Sequence, residues 1–167
     1  EKKLVDGILF DEKNSLNPNQ IVNSLGAPFG ALENMYANWK NNEIKNTNVE
    51  LTTFIDDMSI AYQNADLVIC RAGATSIAEI AIANKASILI PYPFATDNHQ
   101  VVNAKELVNL GGAIMIEESK LTPELLKEEI LKLYENFNQL EQLEENTKLF
   151  AKPNSAEMIL NTILESI

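Results

Sequence analysis

At 167 residues, with 46% hydrophobic and 22% charged residues, the chain is long enough for one domain with a sizeable core and too apolar for wholesale disorder. A net charge of −11 excludes a basic nucleic-acid footprint, so an anionic ligand would be held by local backbone dipoles and not by the overall field. As the single cysteine, Cys70 cannot form an internal disulfide, and its apolar neighbours Leu67, Val68 and Ile69 give it the reading of a buried cytosolic thiol.

In chain order, residues 1–48 are rich in Asn and weakly patterned. Lys2 and Lys3 precede an apolar stretch that Asp6 interrupts, which does not read as a signal peptide. Residues 4–10 suit a strand, 14–18 a loop and 31–40 a short helix with Met35 and Trp39 at i, i+4, followed by a polar connection over 41–48. From Val49 the pattern becomes regular. Residues 49–54 alternate as a strand, and Asp56 or Asp57 can cap a helix running to about Asn64. Strands are expected at 67–70, 87–90 and 113–116, with helices over 75–84 and 100–110 between them and Gly111-Gly112 ending the second helix. Thr122 and Pro123 open a further helix whose apolar stripe runs Leu126, Ile130, Leu133, Phe137. Two more helices complete the chain, the last after Pro153-Asn154-Ser155. The nine glutamates and four lysines over residues 117–148 read as a solvated helical face. No apolar run approaches the roughly 20 residues of a membrane span. Short apolar strands alternating with helices predict an α/β fold, a Rossmann-like parallel sheet flanked by helices on both faces.

Two segments of that pattern carry chemistry. Open parallel sheets bind ligands at the carboxyl ends of their strands, which is where the turn after Cys70 falls. Gly73 permits close backbone approach, and Ala74, Thr75 and Ser76 open a helix whose free N–H groups suit an anion. Glu79 lies one turn beyond Thr75, and its carboxylate can accept hydrogen bonds from both hydroxyls of a ribose. A glycine between strand and helix is common, however, and Glu79 reads equally as a solvated helix residue, Arg71 as a surface arginine paired with an acid. The second segment, residues 91–100, also opens at the carboxyl edge. Its polar cluster Asp97, Asn98, His99 and Gln100 suits sugar hydroxyls, or else Asp97 or Asn98 caps the next helix and His99 is merely exposed.

Three blocks in this order and spacing resemble the C-terminal domain of the MurG family: Phe54-Ile55-Asp56-Asp57-Met58, the run Ala65 to Ala81 containing Cys70-Arg71-Ala72-Gly73-Ala74-Thr75-Ser76-Ile77-Ala78-Glu79, and Pro91 to Gln100 with Asn103-Ala104. That family transfers N-acetylglucosamine from its UDP donor to undecaprenyl-diphospho-muramoyl-pentapeptide, converting lipid I to lipid II in peptidoglycan synthesis. The resemblance covers residues from about 49 onward, in pattern more than in letters over the last 50. It implies the C-terminal half of a GT-B glycosyltransferase, with residues 49–167 as the UDP-sugar-binding domain and 1–48 as a divergent or incomplete N-terminal segment. It further implies that the backbone at Ile55 meets uracil with Met58 nearby and that Ala74, Thr75 and Ser76 face the diphosphate. Glu79 would hold the ribose, and His99 and Gln100 would meet the N-acetylglucosamine. Arg71, Gly73, Ile77 and Ala78 complete the donor-site block. Many relatives have Gln where this chain has His99.

The resemblance also marks what is missing. The family's acceptor-binding N-terminal domain, which holds its candidate base, has no counterpart here, so no catalytic base is assigned. The Gly-Gly-Ser-x-Gly-Ala turn that normally opens the donor domain is echoed only by Ser24-Leu25-Gly26-Ala27. The resemblance therefore implies one half of an inverting transferase, expected to be inactive alone, with no metal or other cofactor. The whole enzyme is expected to be cytoplasmic, touching the inner membrane peripherally. Two alternatives stay open: the donor-binding subunit of a two-chain transferase with another acceptor, and a non-catalytic nucleotide-sugar-binding module.

Overall fold

Largely apolar strands only four residues long can be buried on both faces when helices cover each side, and the computed structural model, which describes residues 55–166, has that arrangement. The strands are β1 (Leu67–Cys70), β2 (Ala86–Leu89) and β3 (Ile114–Met115), paired in parallel in the order β1-β2-β3. Leu67 is opposite Ala86, Cys70 opposite Leu89, and Ile88 opposite Ile114. Backbone bonds from Ile90 N to Cys70 O (2.9 Å) and from Ile116 N to Leu89 O (3.0 Å) carry the pairing one residue further. The expected strand at 49–54, the strand at 4–10, the helix at 31–40 and the turn at 24–27 lie outside the described residues.

Strand periodicity divides the core in two. Val68, Cys70 and Leu89 point to one face, where they meet Ala61 and Tyr62 of α1 (Met58–Gln63), Ile77 and Ile80 of α2 (Ala74–Ala83), and Ala104 and Leu107 of α3 (His99–Asn109). Leu67, Ile69, Ala86, Ile88 and Ile90 point to the other, against Leu126, Ile130 and Leu133 of α4 (Pro123–Glu135) and Leu143 of α5 (Phe137–Lys148). Each fully buried Ile or Leu contributes about 1.5–3 kcal/mol of transfer free energy, so both helical layers are bound to the sheet by several such side chains.

The helix boundaries follow from local chemistry. Asp57, not Asp56, caps α1, its carboxylate accepting from the amides of Ser59 (3.0 Å) and Ile60 (3.1 Å). Asn84 ends α2 in the left-handed conformation, φ 54°, with Lys85 N bonding back to Ile80 O. Gly111, at φ 73°, does the same for α3, and Gly112 N bonds to Leu107 O at 3.0 Å. Thr122 caps α4 with Pro123 in its first turn, as its sequence predicts. The apolar stripe of α4 stops at Leu133, however. Asn136 leaves the helical conformation and its side chain caps α5 instead, so Phe137 begins a new helix and is exposed. The last helix, α6 (Ser155–Glu165), has no buried residue. Among the described residues no helix is long and apolar enough to cross a membrane.

One anchor lies at the amino edge of the sheet. Thr147 on α5 is fully buried, its hydroxyl 2.6 Å from Gly112 O and 2.8 Å from Leu143 O, and Asn146 Nδ2 donates to Gly111 O at 3.1 Å. These bonds tie α5 to the turn that feeds β3.

Candidate functional site

A parallel sheet sends the chain out of every strand at the same edge, so the segments after β1, β2 and β3 share one rim. Arg71, the first residue past β1, joins them. Its guanidinium pairs with Glu118, beyond β3, and donates to Ile90 O (3.2 Å) and Pro91 O (3.4 Å), beyond β2. It also lies 5.5 Å from the centre of the Tyr92 ring. The reading of Arg71 as paired with an acid is therefore met, but the pair is a strut between loops and not an isolated surface contact. Asn103 on α3 adds a second tie, donating from Nδ2 to Ala72 O at 3.2 Å.

That frame presents the tip of α2. Gly73 stands at the N-cap in an extended conformation, φ −66°, with no side-chain cap on the helix and no acidic residue in its first turn. The amides of Ala74, Thr75 and Ser76 precede the first residue able to bond within the helix, Ile77, whose N–H donates to Gly73 O at 3.0 Å. Ala74 and Thr75 are exposed and Ser76 is half-buried, whereas Ile77 turns its side chain into the core. Ten residues of aligned peptide dipoles end at this tip, which makes it locally positive in a chain of net charge −11. Ala78 and Glu79 follow on the exposed side of α2.

Glu79 has a partner that sequence reading does not supply. Tyr62 Oη, from α1, donates to Glu79 Oε2 at 3.1 Å. Tyr62 stands one helical turn after Met58, and Met58 and Ile55 both pack, half-buried, on the same core cluster. Spacing within α1 puts Tyr62 and Met58 on one face, but only the packing of α1 on α2 brings that face to Glu79. Glu118 is equally silent in sequence, since 47 residues separate it from Arg71.

The second loop is built around two residues in the left-handed conformation, Asp97 (φ 52°) and Asn98 (φ 53°), types that tolerate it better than most. Neither side chain caps α3. The turn delivers His99 exposed, with Nδ1 2.7 Å from Thr96 O. A carbonyl can only accept, so Nδ1 carries a proton, and Nε2 is the acceptor in that tautomer. Gln100 Oε1 accepts from Tyr92 N at 2.9 Å, fixing the side chain across the loop. The rim thus sets the free amides of a helix tip, a carboxylate one turn further along α2, and an imidazole and an amide on the neighbouring loop along a single edge. Among the described residues no group of three or more His, Cys, Asp or Glu could hold a metal ion.

Comparison with known proteins identifies the family and the fold. The family model of the glycosyltransferase family 28 C-terminal domain matches residues 2–159. A curated relative from Myxococcus xanthus is 46% identical over 121 residues, 72% of this chain and 32% of its own length. It is named a UDP-N-acetylglucosamine–N-acetylmuramyl-(pentapeptide) pyrophosphoryl-undecaprenol N-acetylglucosamine transferase. A relative of the same name from Vesicomyosocius okutanii is 41% identical over 132 residues, 79% of this chain and 38% of its own. The crystal structure of Acinetobacter baumannii MurG superposes with a TM-score of 0.65 at 37% identity, over 70% of this chain and 33% of that one. A kitacinnamycin glycotransferase shares the fold, with a TM-score of 0.52 at 21% identity over 69% and 30% of the two chains. The chain spans about a third of the length of the curated relatives it matches. By its match along nearly its whole length, the chain belongs to the glycosyltransferase family 28 C-terminal domain family.

Proposed function

We propose that this chain is the donor-binding half of an inverting transferase that moves N-acetylglucosamine from UDP-N-acetylglucosamine to lipid I. The observation that carries the reading is the uncapped tip of α2 at Gly73–Ser76, with Glu79 one turn along it and His99 and Gln100 on the adjoining loop. The named relatives at 41% and 46% identity support the choice of donor and acceptor.

In this proposal the amides of Ala74, Thr75 and Ser76 bind the diphosphate, with Gly73 allowing its close approach and Ala78 lining the same exposed side. Glu79 accepts from the ribose hydroxyls. The backbone at Ile55 meets uracil, with Met58 beside it. His99 Nε2 accepts from a sugar hydroxyl and Gln100 uses its amide N–H groups. Arg71 serves the site by holding the loops that carry these groups, and Ile77 by seating the first turn of α2 on the core. As the acceptor hydroxyl attacks the anomeric carbon, negative charge grows on the departing UDP, and amides already aimed at it stabilise that charge without reorganising. The acceptor, its base and the peripheral contact with the cytoplasmic face of the inner membrane belong to the whole enzyme. Calorimetric competition among UDP, ADP and GDP tests the proposal. UDP is expected to bind selectively, and equal affinity for all three nucleotides would sink it.

A further inference from the structure

We propose that Tyr62 is a positioning residue for ribose recognition, holding the Glu79 carboxylate in the orientation that accepts the two ribose hydroxyls. The inference rests on the donor-site reading of Glu79 and extends it to a residue that touches no ligand. Glu79 is an exposed helix residue, and a free glutamate side chain there would sample many rotamers. Instead Tyr62 Oη donates to Oε2 at 3.1 Å. The tyrosine ring is itself fixed, being 6% exposed among Ala61, Ala65, Ile77 and Ile80.

A carboxylate offers about four lone-pair sites on two oxygens. One bond from Tyr62 occupies a single site and leaves Oε1 and the rest of Oε2 for a vicinal diol. An ionised carboxylate only accepts, which suits one tyrosine donor and two hydroxyl donors together. The rotamer entropy that ribose binding would otherwise remove is already lost in the folded chain. Placement adds a second consequence. Met58 and Tyr62 stand one turn apart on α1, so a six-residue helix connects the residue beside uracil to the residue behind ribose. Base and sugar are thereby read from one rigid element.

The test uses the full 167-residue chain, with Tyr62→Phe to remove the hydroxyl and keep the buried ring. Binding of UDP and of 2′,3′-dideoxy-UDP is measured by calorimetry, with Tm followed in parallel. Tyr62→Phe is expected to weaken UDP roughly three- to tenfold, the range of one hydrogen bond, and to leave the dideoxy nucleotide unchanged. Glu79→Ala should abolish the difference between the two nucleotides, and adding Tyr62→Phe to it should cost nothing more. Equal weakening of both nucleotides by Tyr62→Phe would assign the tyrosine a purely structural role and overturn the proposal. So would unchanged UDP affinity in Tyr62→Phe where Glu79→Ala still weakens it. Unchanged UDP affinity in Glu79→Ala would remove the donor-site reading of Glu79 itself, and the inference with it.

Discussion

A methyl group placed on Gly73 would meet only Ser76 Oγ, at an ordinary 3.7 Å, and the backbone there has a φ of −66° that any residue adopts. The fold has room for that methyl group, whereas in the proposed donor site the same space would hold the diphosphate. Gly73→Ala is therefore expected to change stability by no more than about 1 kcal/mol, because the freedom lost by the unfolded chain offsets the poorer N-cap preference of alanine. UDP affinity should drop about tenfold or more, equivalent to about 1.4 kcal/mol, as measured by titration beside a melting curve. Glu79→Ala should likewise spare folding, since the side chain is exposed, while costing about 1.5–3 kcal/mol of UDP binding. The joint placement of Gly73 and Glu79 was legible because both lie on one strand–turn–helix unit, where sequence spacing is spatial spacing. Tyr62 and Glu118 were not, because their contacts depend on how separate elements dock.

Among the elements, the strands and helices within residues 55–166 follow their apolar periods to within a residue or two, with caps at Asp57 and Thr122 deciding the starts. Phe137 departs from that pattern because the Asn136 side chain bonds Gln139 N, and that local bond outcompetes continuation of α4. Two predictions belong at this level. A Cβ on Gly112 would lie 2.9 Å from both Leu107 Cδ1 and Thr147 Oγ1 and 3.1 Å from Thr147 Cα, so Gly112→Ala must push α5 away from the sheet. A loss of about 1–3 kcal/mol is expected, read as a lower Tm or denaturation midpoint. On the same helix, burial raises the Glu144 carboxyl above its ordinary range, with Lys85 partly opposing the shift. The folded chain thus holds that proton more tightly than the unfolded chain. Stability from this group is present at low pH and is lost as pH rises from the usual carboxylate range, about 4.3, through the raised folded value. Glu144→Gln should flatten that part of the stability–pH profile, and an unchanged slope would contradict the assignment.

At the scale of the molecule, the proposed function makes donor binding and transfer separable. The chain corresponds to about a third of its named relatives, and bringing two substrates together is itself a large part of any barrier lowering. UDP binding without turnover is the expected behaviour of the 167 residues, and activity is expected only when an acceptor-binding domain is supplied in cis or in trans. Labelled donor with a lipid I analogue checks this, and efficient transfer by the isolated chain would refute it.

The Thr147–Gly112 anchor lies at the amino edge of the sheet, and the Gly73 tip lies at the carboxyl edge. Strands of four residues, at about 3.3 Å each, put roughly 13 Å between the two edges. At that range the free-energy effects of substitutions usually add. Replacements at the amino edge would thus retune the melting temperature, while the carboxyl edge would answer separately to the proposed donor. Heat tolerance and the proposed donor affinity should then be alterable one at a time.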